Sequence, residues 1–198
     1  MNIRFVIDTH IHADHVSTGR ELAGLAGAKY VLHVNSGAQY EFCRVNEGDV
    51  LDLGNVKVKA LHTPGHTPEH VCLLVTDKSR GPEPWFLLSG HTLMVGDVGR
   101  TELASSAEEG ARALFKTTQK LKVLPDHIEV LPGAFSGSVC GRSLSGKPMS
   151  TIGFERRFNK AFQIDDEEEF VRHMLQNIPT PPPDAARTRA INLGLQAI

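Results

Sequence analysis

Short apolar runs, punctuated by glycine, proline and charged residues, set the rhythm of this chain. Residues 3–7 predict a strand, and residues 29–34 predict a second. Residues 48–55 carry turn signals at both ends of a short run. Residues 56–61, Val-Lys-Val-Lys-Ala-Leu, alternate with period two, the mark of a half-buried strand. Two further strands, 71–75 and 85–88, are joined by the polar, hairpin-like loop 78–84, and 128–131 reads as a buried strand. Helical patterns fall between and after these. Ser17 and Thr18 are placed to cap a helix over residues 20–26, with Gly27 as its terminator. Ser105 and Ser106 precede another, with acidic residues in its first turn and Ala113, Leu114 and Leu121 on one apolar face. Residues 155–157 predict an exposed, ion-paired helix start. An acidic helix with a solvated face over 165–169 is expected to run to about Asn177, and the proline-rich stretch 179–183 to break the chain before a short tail.

The first strand runs into His10-Ile11-His12-Ala13-Asp14-His15, which places three imidazoles and a carboxylate at its C-terminal end. Imidazole nitrogens and carboxylate oxygens are the usual donors to zinc and non-haem iron, and histidines this dense are hard to assign to packing alone. Strand 56–61 likewise runs into His62-Thr63-Pro64-Gly65-His66, where proline and glycine stop it and turn the chain. His66 therefore arrives from a strand end, as His10 does. Strand 85–88 ends at Ser89-Gly90-His91. His33 and His127 have no such context and read as structural residues.

Composition narrows the class of protein without naming a chemistry. A chain of 198 residues, 40% hydrophobic and 22% charged, is expected to form one soluble domain over residues 1–198. A formal charge of −2 offers no attraction to nucleic acid or to an anionic membrane. No segment approaches the ~20 apolar residues of a membrane span, and the first residues lack a signal-peptide pattern, so the expected location is the cytoplasm. Cys43, Cys72 and Cys140 are odd in number and lack a C-x-x-C pair, which argues for reduced thiols. The glycine- and serine-rich run 136–146 is too long for a simple turn and lacks the order of a phosphate-binding P-loop. Cys140, inside it, reads as a packed rather than a reactive thiol.

Thr9 to His15 resembles the T-H-x-H-x-D-H signature of the metallo-β-lactamase superfamily. Residues 63–70, Thr-Pro-Gly-His-Thr-Pro-Glu-His, resemble its second ligand loop. Residues 89–100, Ser-Gly-His-Thr-Leu-Met-Val-Gly-Asp-Val-Gly-Arg, are similar to the branch of persulfide dioxygenases and glyoxalase II-like proteins, and the likeness continues through 135–141 and 150–157. The resemblance implies an α/β fold, the four-layer αββα sandwich. It also implies that strands of the first sheet are missing, because members of this branch carry several strands and a helix before the H-x-H-x-D-H strand, whereas only nine residues precede His10. Either a sheet edge is left for a second copy of the chain to cover, or the recorded start is displaced.

Two positions depart from the family. His91 stands where the family has a metal-binding aspartate that bridges two ions in dinuclear members, and Ala134 stands where the last histidine ligand is expected. Imidazole cannot bridge as a carboxylate does, so the resemblance implies a single metal. His10, His66 and His91 would form a three-histidine face, with His12 also available to this first position and only Asp14 and His15 left for a second. One Fe(II) is expected, with Zn(II) as the alternative, and a small thiol or persulfide as substrate. The alternative activity is zinc-dependent thioester hydrolysis with Asp14 as base or orienting group, and a third reading is a non-catalytic relative with a degraded site. His62 and His70 are expected to orient ligands or to pack, Asp97 to be structural, and the 136–146 run to lie at the rim of the pocket.

Overall fold

In the computed structural model, which describes residues 2–197 apart from 139, 143, 177 and 179, the strands assemble into two sheets. The first contains β1 (Phe5–Ile7), β2 (Lys29–His33) and β3 (Cys43–Val45), all parallel, in that order. Parallel neighbours need a crossover, and between β1 and β2 it is α1 (Gly19–Ala26). The second sheet runs β4 (Val50–Leu53), β5 (Val56–His62), β6 (Val71–Asp77), β7 (Phe86–Gly90), β8 (Glu129–Pro132) and β9 (Ser150–Thr151) in sequence order. Only β7 and β8 pair in parallel, and their crossover carries α2 (Ala107–Lys122). Four helices follow: α3 (Ile152–Phe158), α4 (Lys160–Gln163), α5 (Glu167–Leu175) and α6 (Ala185–Asn192).

The period-two pattern of the strands decides the layering. Along β6, Cys72 and Leu74 pack with Leu114 and Leu121 of α2 and with Phe162 and Phe170, whereas Val71, Leu73 and Val75 meet Val31 and Val45 of the first sheet. The far face of the first sheet, through Tyr30 and Leu32, packs on Ala23 of α1 and on Ile11, with Leu193 at its margin. Helix, sheet, sheet, helix is the expected αββα sandwich. Side chains such as Leu87, Leu114 and Phe170 have 0% exposure, and burying each contributes about 1.5–3 kcal/mol. Among the described residues no helix is long and apolar enough to cross a membrane.

Three local expectations need correction. Thr18 makes no side-chain cap to α1; the Ser17 hydroxyl instead accepts the Gly19 N–H at 3.0 Å, and Gly27, at φ 60°, ends the helix as expected. Residues 155–157 lie within α3, and Glu155 is fully buried rather than exposed. Its carboxylate is satisfied there by the Gly96 N–H, the Asn159 amide and the Ser150 hydroxyl, the kind of complete pairing a buried charge requires. The short tail is a helix, α6, docked against the first ligand loop. Asn177, the expected end of the acidic helix, and Pro179, the start of the proline stretch, lie outside the described residues; α5 itself is capped by Asp166, which accepts the Glu169 N–H.

Candidate metal centre

Strand ends of both sheets deliver the histidines. The loop after β1 carries His10, the turn after β5 carries His66, and β7 hands the chain to His91. The turn at Pro64-Gly65 is tight against α2: Gly65 has φ 144°, and a Cβ there would sit 2.5 Å from Leu114 Cβ. Gly90 is similarly constrained, at φ 51° with His70 Nε2 only 2.5 Å from the position of a Cβ. Both glycines let backbone approach where a side chain would not fit.

One ring nitrogen each from His10, His66 and His91 lies within 4.8 Å of the other two, and none of the three residues is more than 3% exposed. His66 Nδ1 donates to the Arg100 carbonyl at 2.8 Å, which leaves its Nε2 lone pair available. His10 Nδ1 is 2.9 Å from the Thr9 hydroxyl, while His10 Nε2 and His91 Nδ1 are buried with no hydrogen-bond partner. Leaving such groups unpaired costs about 1–3 kcal/mol each, and a cation in their midst would offset that cost. These three residues fit a metal ion with three neutral nitrogen donors.

Burial, with the neighbouring His91, lowers the His66 ring to about 3; burial, partly offset by Asp14, lowers His91 to about 4. His10 and His70 are also depressed, burial leading in each. Between pH 6.5 and about 4 the unfolded chain therefore binds protons that the folded chain refuses. Stability of the metal-free protein should be fully present above pH 6.5 and decline as pH falls toward 4. His15, raised chiefly by its hydrogen bond to Asp14, works in the opposite sense but is a single, half-exposed group. Thermal melts of the apo chain across this window check the sign; a flat profile would contradict neutral, buried imidazoles.

A second, outer trio comprises His12, Asp14 and His15. His12 thus groups with the other two, not with the inner histidines alone, although its ring centroid is 4.2 Å from that of His10. Asp14 Oδ1 is 3.1 Å from His15 Nδ1 and 3.6 Å from His12 Nδ1, the latter an electrostatic contact. Burial would raise the Asp14 carboxyl, but its close contact with His12 and its hydrogen bond to His15, with a smaller electrostatic contribution from the His91 ring, more than offset it and hold it well below the usual range. Asp14 Oδ2 is 3.5 Å from Cys140 Sγ; that cysteine is 1% exposed, and burial plus Asp14 push its thiol up to about 12. Ala134 lines the same cleft of about 500 Å³ as Asp14, His15 and His91, and Phe135 to Ser138 form part of its wall, so the glycine-serine run does border the site.

A buried histidine trio and an outer trio of two histidines and an aspartate, at the strand ends of a four-layer sandwich, point to one family, and its sequence model, the metallo-beta-lactamase superfamily, matches residues 1–133. The chain belongs to the metallo-beta-lactamase superfamily. It is 27% identical over 185 residues to the mitochondrial persulfide dioxygenase ETHE1 of Mus musculus, covering 92% of this chain and 65% of that protein. The chain therefore spans about 65% of the length of such relatives. Among solved structures, a metallo-beta-lactamase from Staphylococcus aureus superposes with a TM-score of 0.90 at 36% identity, covering 98% of this chain and 59% of that one. ETHE1 from Myxococcus xanthus superposes at 0.80 and 28% identity, covering 99% and 79%.

In this superfamily member the outer layer of contacts is dense. His70 is fully buried and oriented on both sides: its Nε2 accepts the His91 N–H at 3.1 Å, and Nδ1 lies 2.9 Å from the Thr63 and Thr92 hydroxyls. This is the orienting role expected of it. His62 stacks instead on His33, centroids 4.1 Å apart, and packs away from the metal loop's histidines, while His127 is an exposed residue near the Pro84 carbonyl. Asp97 is structural, as expected, accepting the Val98 and Arg142 N–H groups and the Arg142 guanidinium.

Sequence reasoning missed the clamp that holds the first loop. Glu69, 2% exposed, accepts the Ile11 N–H at 2.9 Å and pairs with Arg189 of α6, whose Nη1 also donates to the Ile11 carbonyl at 2.8 Å. Both backbone groups of the residue between His10 and His12 are thereby taken. Asn192 Nδ2 donates to the His12 and His15 carbonyls, at 2.8 and 2.9 Å, and Asn192 Oδ1 accepts the Ser17 N–H. Glu69 sits inside a recognisable loop; Arg189 and Asn192, far along the chain, carry no local signal.

Proposed function

We propose that the protein is a mononuclear, metal-dependent enzyme of persulfide dioxygenase type, holding one Fe(II) on His10, His66 and His91 and acting on glutathione persulfide or a similar small persulfide. The observation that carries this reading is the convergence of three buried, neutral histidines, with His10 Nε2 and His91 Nδ1 unpartnered, beside a position 134 that offers only a methyl group. The likeness to persulfide dioxygenases supports the substrate class. When bound, Fe(II) with open positions supplies the oxygen chemistry of sulfur oxidation: RSSH + O₂ + H₂O gives RSH, sulfite and two protons. The chain's own part is to keep three imidazoles unprotonated, orient them through Arg100, Thr9 and His70, and present Asp14 and His15 at the cleft.

Zinc-dependent thioester hydrolysis, with Asp14 as base or orienting group, is the alternative; a carboxyl held well below its usual range suits the orienting role better than the base. Three unpaired cysteines support a reducing compartment such as the cytoplasm.

Anaerobic purification with iron and zinc analysis, followed by oxygen uptake with glutathione persulfide, tests the proposal. Stoichiometric iron and sulfite release are expected; zinc with thioester turnover and no oxygen uptake would overturn it. Restoring a carboxylate with His91→Asp adds an anionic donor and should tighten Fe(II) by about tenfold, about 1.4 kcal/mol. Metal content and activity both unchanged by that substitution would remove position 91 from the site.

A further inference from the structure

We propose that the cavity behind the first ligand loop binds a small carboxylate carrying an aromatic or apolar body, and that its occupancy is felt at His12 and His15. The cavity, of about 600 Å³, lies between the start of α1, β2 and the end of α6, and its size falls within the ~300–1,000 Å³ of small-molecule sites. Val16, Ile191 and Leu195 give it an apolar wall, and Tyr30 and Tyr40 add two rings with centroids 6.0 Å apart. Arg20 is the basic side chain among its lining residues. The Arg20 guanidinium lies over the Tyr40 ring, 4.6 Å from its centroid, and pairs with no carboxylate among the described residues. Stacking engages the face of a guanidinium and leaves its in-plane N–H donors free, and those donors match a carboxylate with two parallel hydrogen bonds. Glu21 also borders the cavity, and Asp8 lies one hydrogen bond away, accepting the Tyr30 and Ser17 hydroxyls. These two acids disfavour a second negative charge on the ligand, which selects a carboxylate over a phosphate ester.

The wall of this cavity is also the mount of the first ligand loop. Ser17 and Asn192 both line it. Asn192 Oδ1 accepts the Ser17 N–H, while its Nδ2 donates to the His12 and His15 carbonyls. The Tyr40 hydroxyl donates to the Asn192 carbonyl at 2.7 Å, so the ring on which Arg20 rests is one hydrogen bond from the residue that holds the loop. A ligand seated against Arg20 and Tyr40 therefore bears on Asn192 and through it on His12 and His15, and by linkage any shift of the loop is returned as a change in ligand affinity. The cavity shares no lining residue with the cleft that holds Asp14, His15 and Ala134. It depends on neither sulfur oxidation nor the identity of the metal, so its failure and the failure of the dioxygenase reading are separable.

A carboxylate also binds metal ions, so the test uses the metal-free full chain, isotope-labelled and titrated with 1-naphthoate under nuclear magnetic resonance. Saturable shifts are expected at Arg20, Tyr40 and Asn192 and, with the same Kd, at His12 and His15. Arg20→Gln, an exposed substitution, should weaken 1-naphthoate by about tenfold or more, whereas Glu21→Gln should leave it equal or tighter. Neutral 1-naphthamide and 1-naphthyl phosphate should both bind more weakly than 1-naphthoate. An absence of saturable shifts at the cavity, or equal affinity in Arg20→Gln, overturns the site. Binding lost in Glu21→Gln, or a preference for the amide or the phosphate ester, overturns the carboxylate assignment. Shifts that spare His12 and His15 overturn the link to the ligand loop.

Discussion

Replacing His66 by alanine is expected to abolish tight Fe(II) binding while leaving the metal-free chain folded. The His66 ring forms a near-equilateral triangle with the other two inner histidines, with centroids 4.8 Å from His10 and 5.1 Å from His91, and the Arg100 carbonyl fixes which nitrogen faces them. Loss of an outer partner of a metal ligand typically costs about 10–100-fold in affinity, so loss of a donor itself should exceed about 100-fold. In the apo protein the same substitution removes one buried ring from a crowd of imidazoles, and the cost should stay within about 0.5–3 kcal/mol, the range of ordinary substitutions. Chelator-buffered anaerobic titration with Fe(II), paired with thermal melts of the metal-free chains, separates the two effects. Equal iron affinity in wild type and variant would rule out the inner trio as the iron site.

Arg189→Ala should be the most destabilising single change at the rear of the centre. It strands the Glu69 carboxylate, 2% exposed, with the Ile11 N–H as its remaining partner of the clamp, and also leaves the Ile11 carbonyl unpaired. Removing one partner of a buried ion pair costs about 3–5 kcal/mol because the other charge is left in low dielectric, which in a chain of this size lowers the melting point by on the order of 10 °C. Exposed pairs such as Arg112 with Glu108 and Glu168 are screened by water and should matter far less. Since Ile11 lies between two histidines, Fe(II) affinity should fall as well. In a double-mutant cycle, Glu69→Gln combined with Arg189→Ala should cost less than the sum of the two single changes. A loss under about 1 kcal/mol for Arg189→Ala with unchanged iron affinity would show that the clamp is passive.

Much of the architecture was legible because it rests on local physics. Alternation in residues 56–61 marked β5, the apolar run at 71–75 marked β6, and Gly27 and Ser106 marked helix ends, since strand faces and helix caps are properties of neighbouring residues. The candidacy of His10 and His66 as metal ligands was also local, because each lies in the loop that follows the end of a strand. Residues far apart in the chain tell a different story. Glu155 lies beside two arginines and reads as a surface charge, yet it is buried because Gly96, Ser150 and Asn159 bring it three donors.

The sequence by itself determined the layered α/β family, the strand ends that carry the histidines, and the presence of histidine at 91 and alanine at 134, where the resemblance implies a carboxylate and a histidine. Only the tertiary structure decided that His91 turns its ring into the inner trio, that His12 groups with Asp14 and His15, that Cys140 meets Asp14, and that α6 clasps the first loop through Arg189 and Asn192. The physical reason is the reach of the interactions. Hydrophobic periodicity and capping are written within a turn or a strand, whereas a buried donor or charge is stable only where the fold happens to bring its partner, and that partner can lie anywhere in the chain.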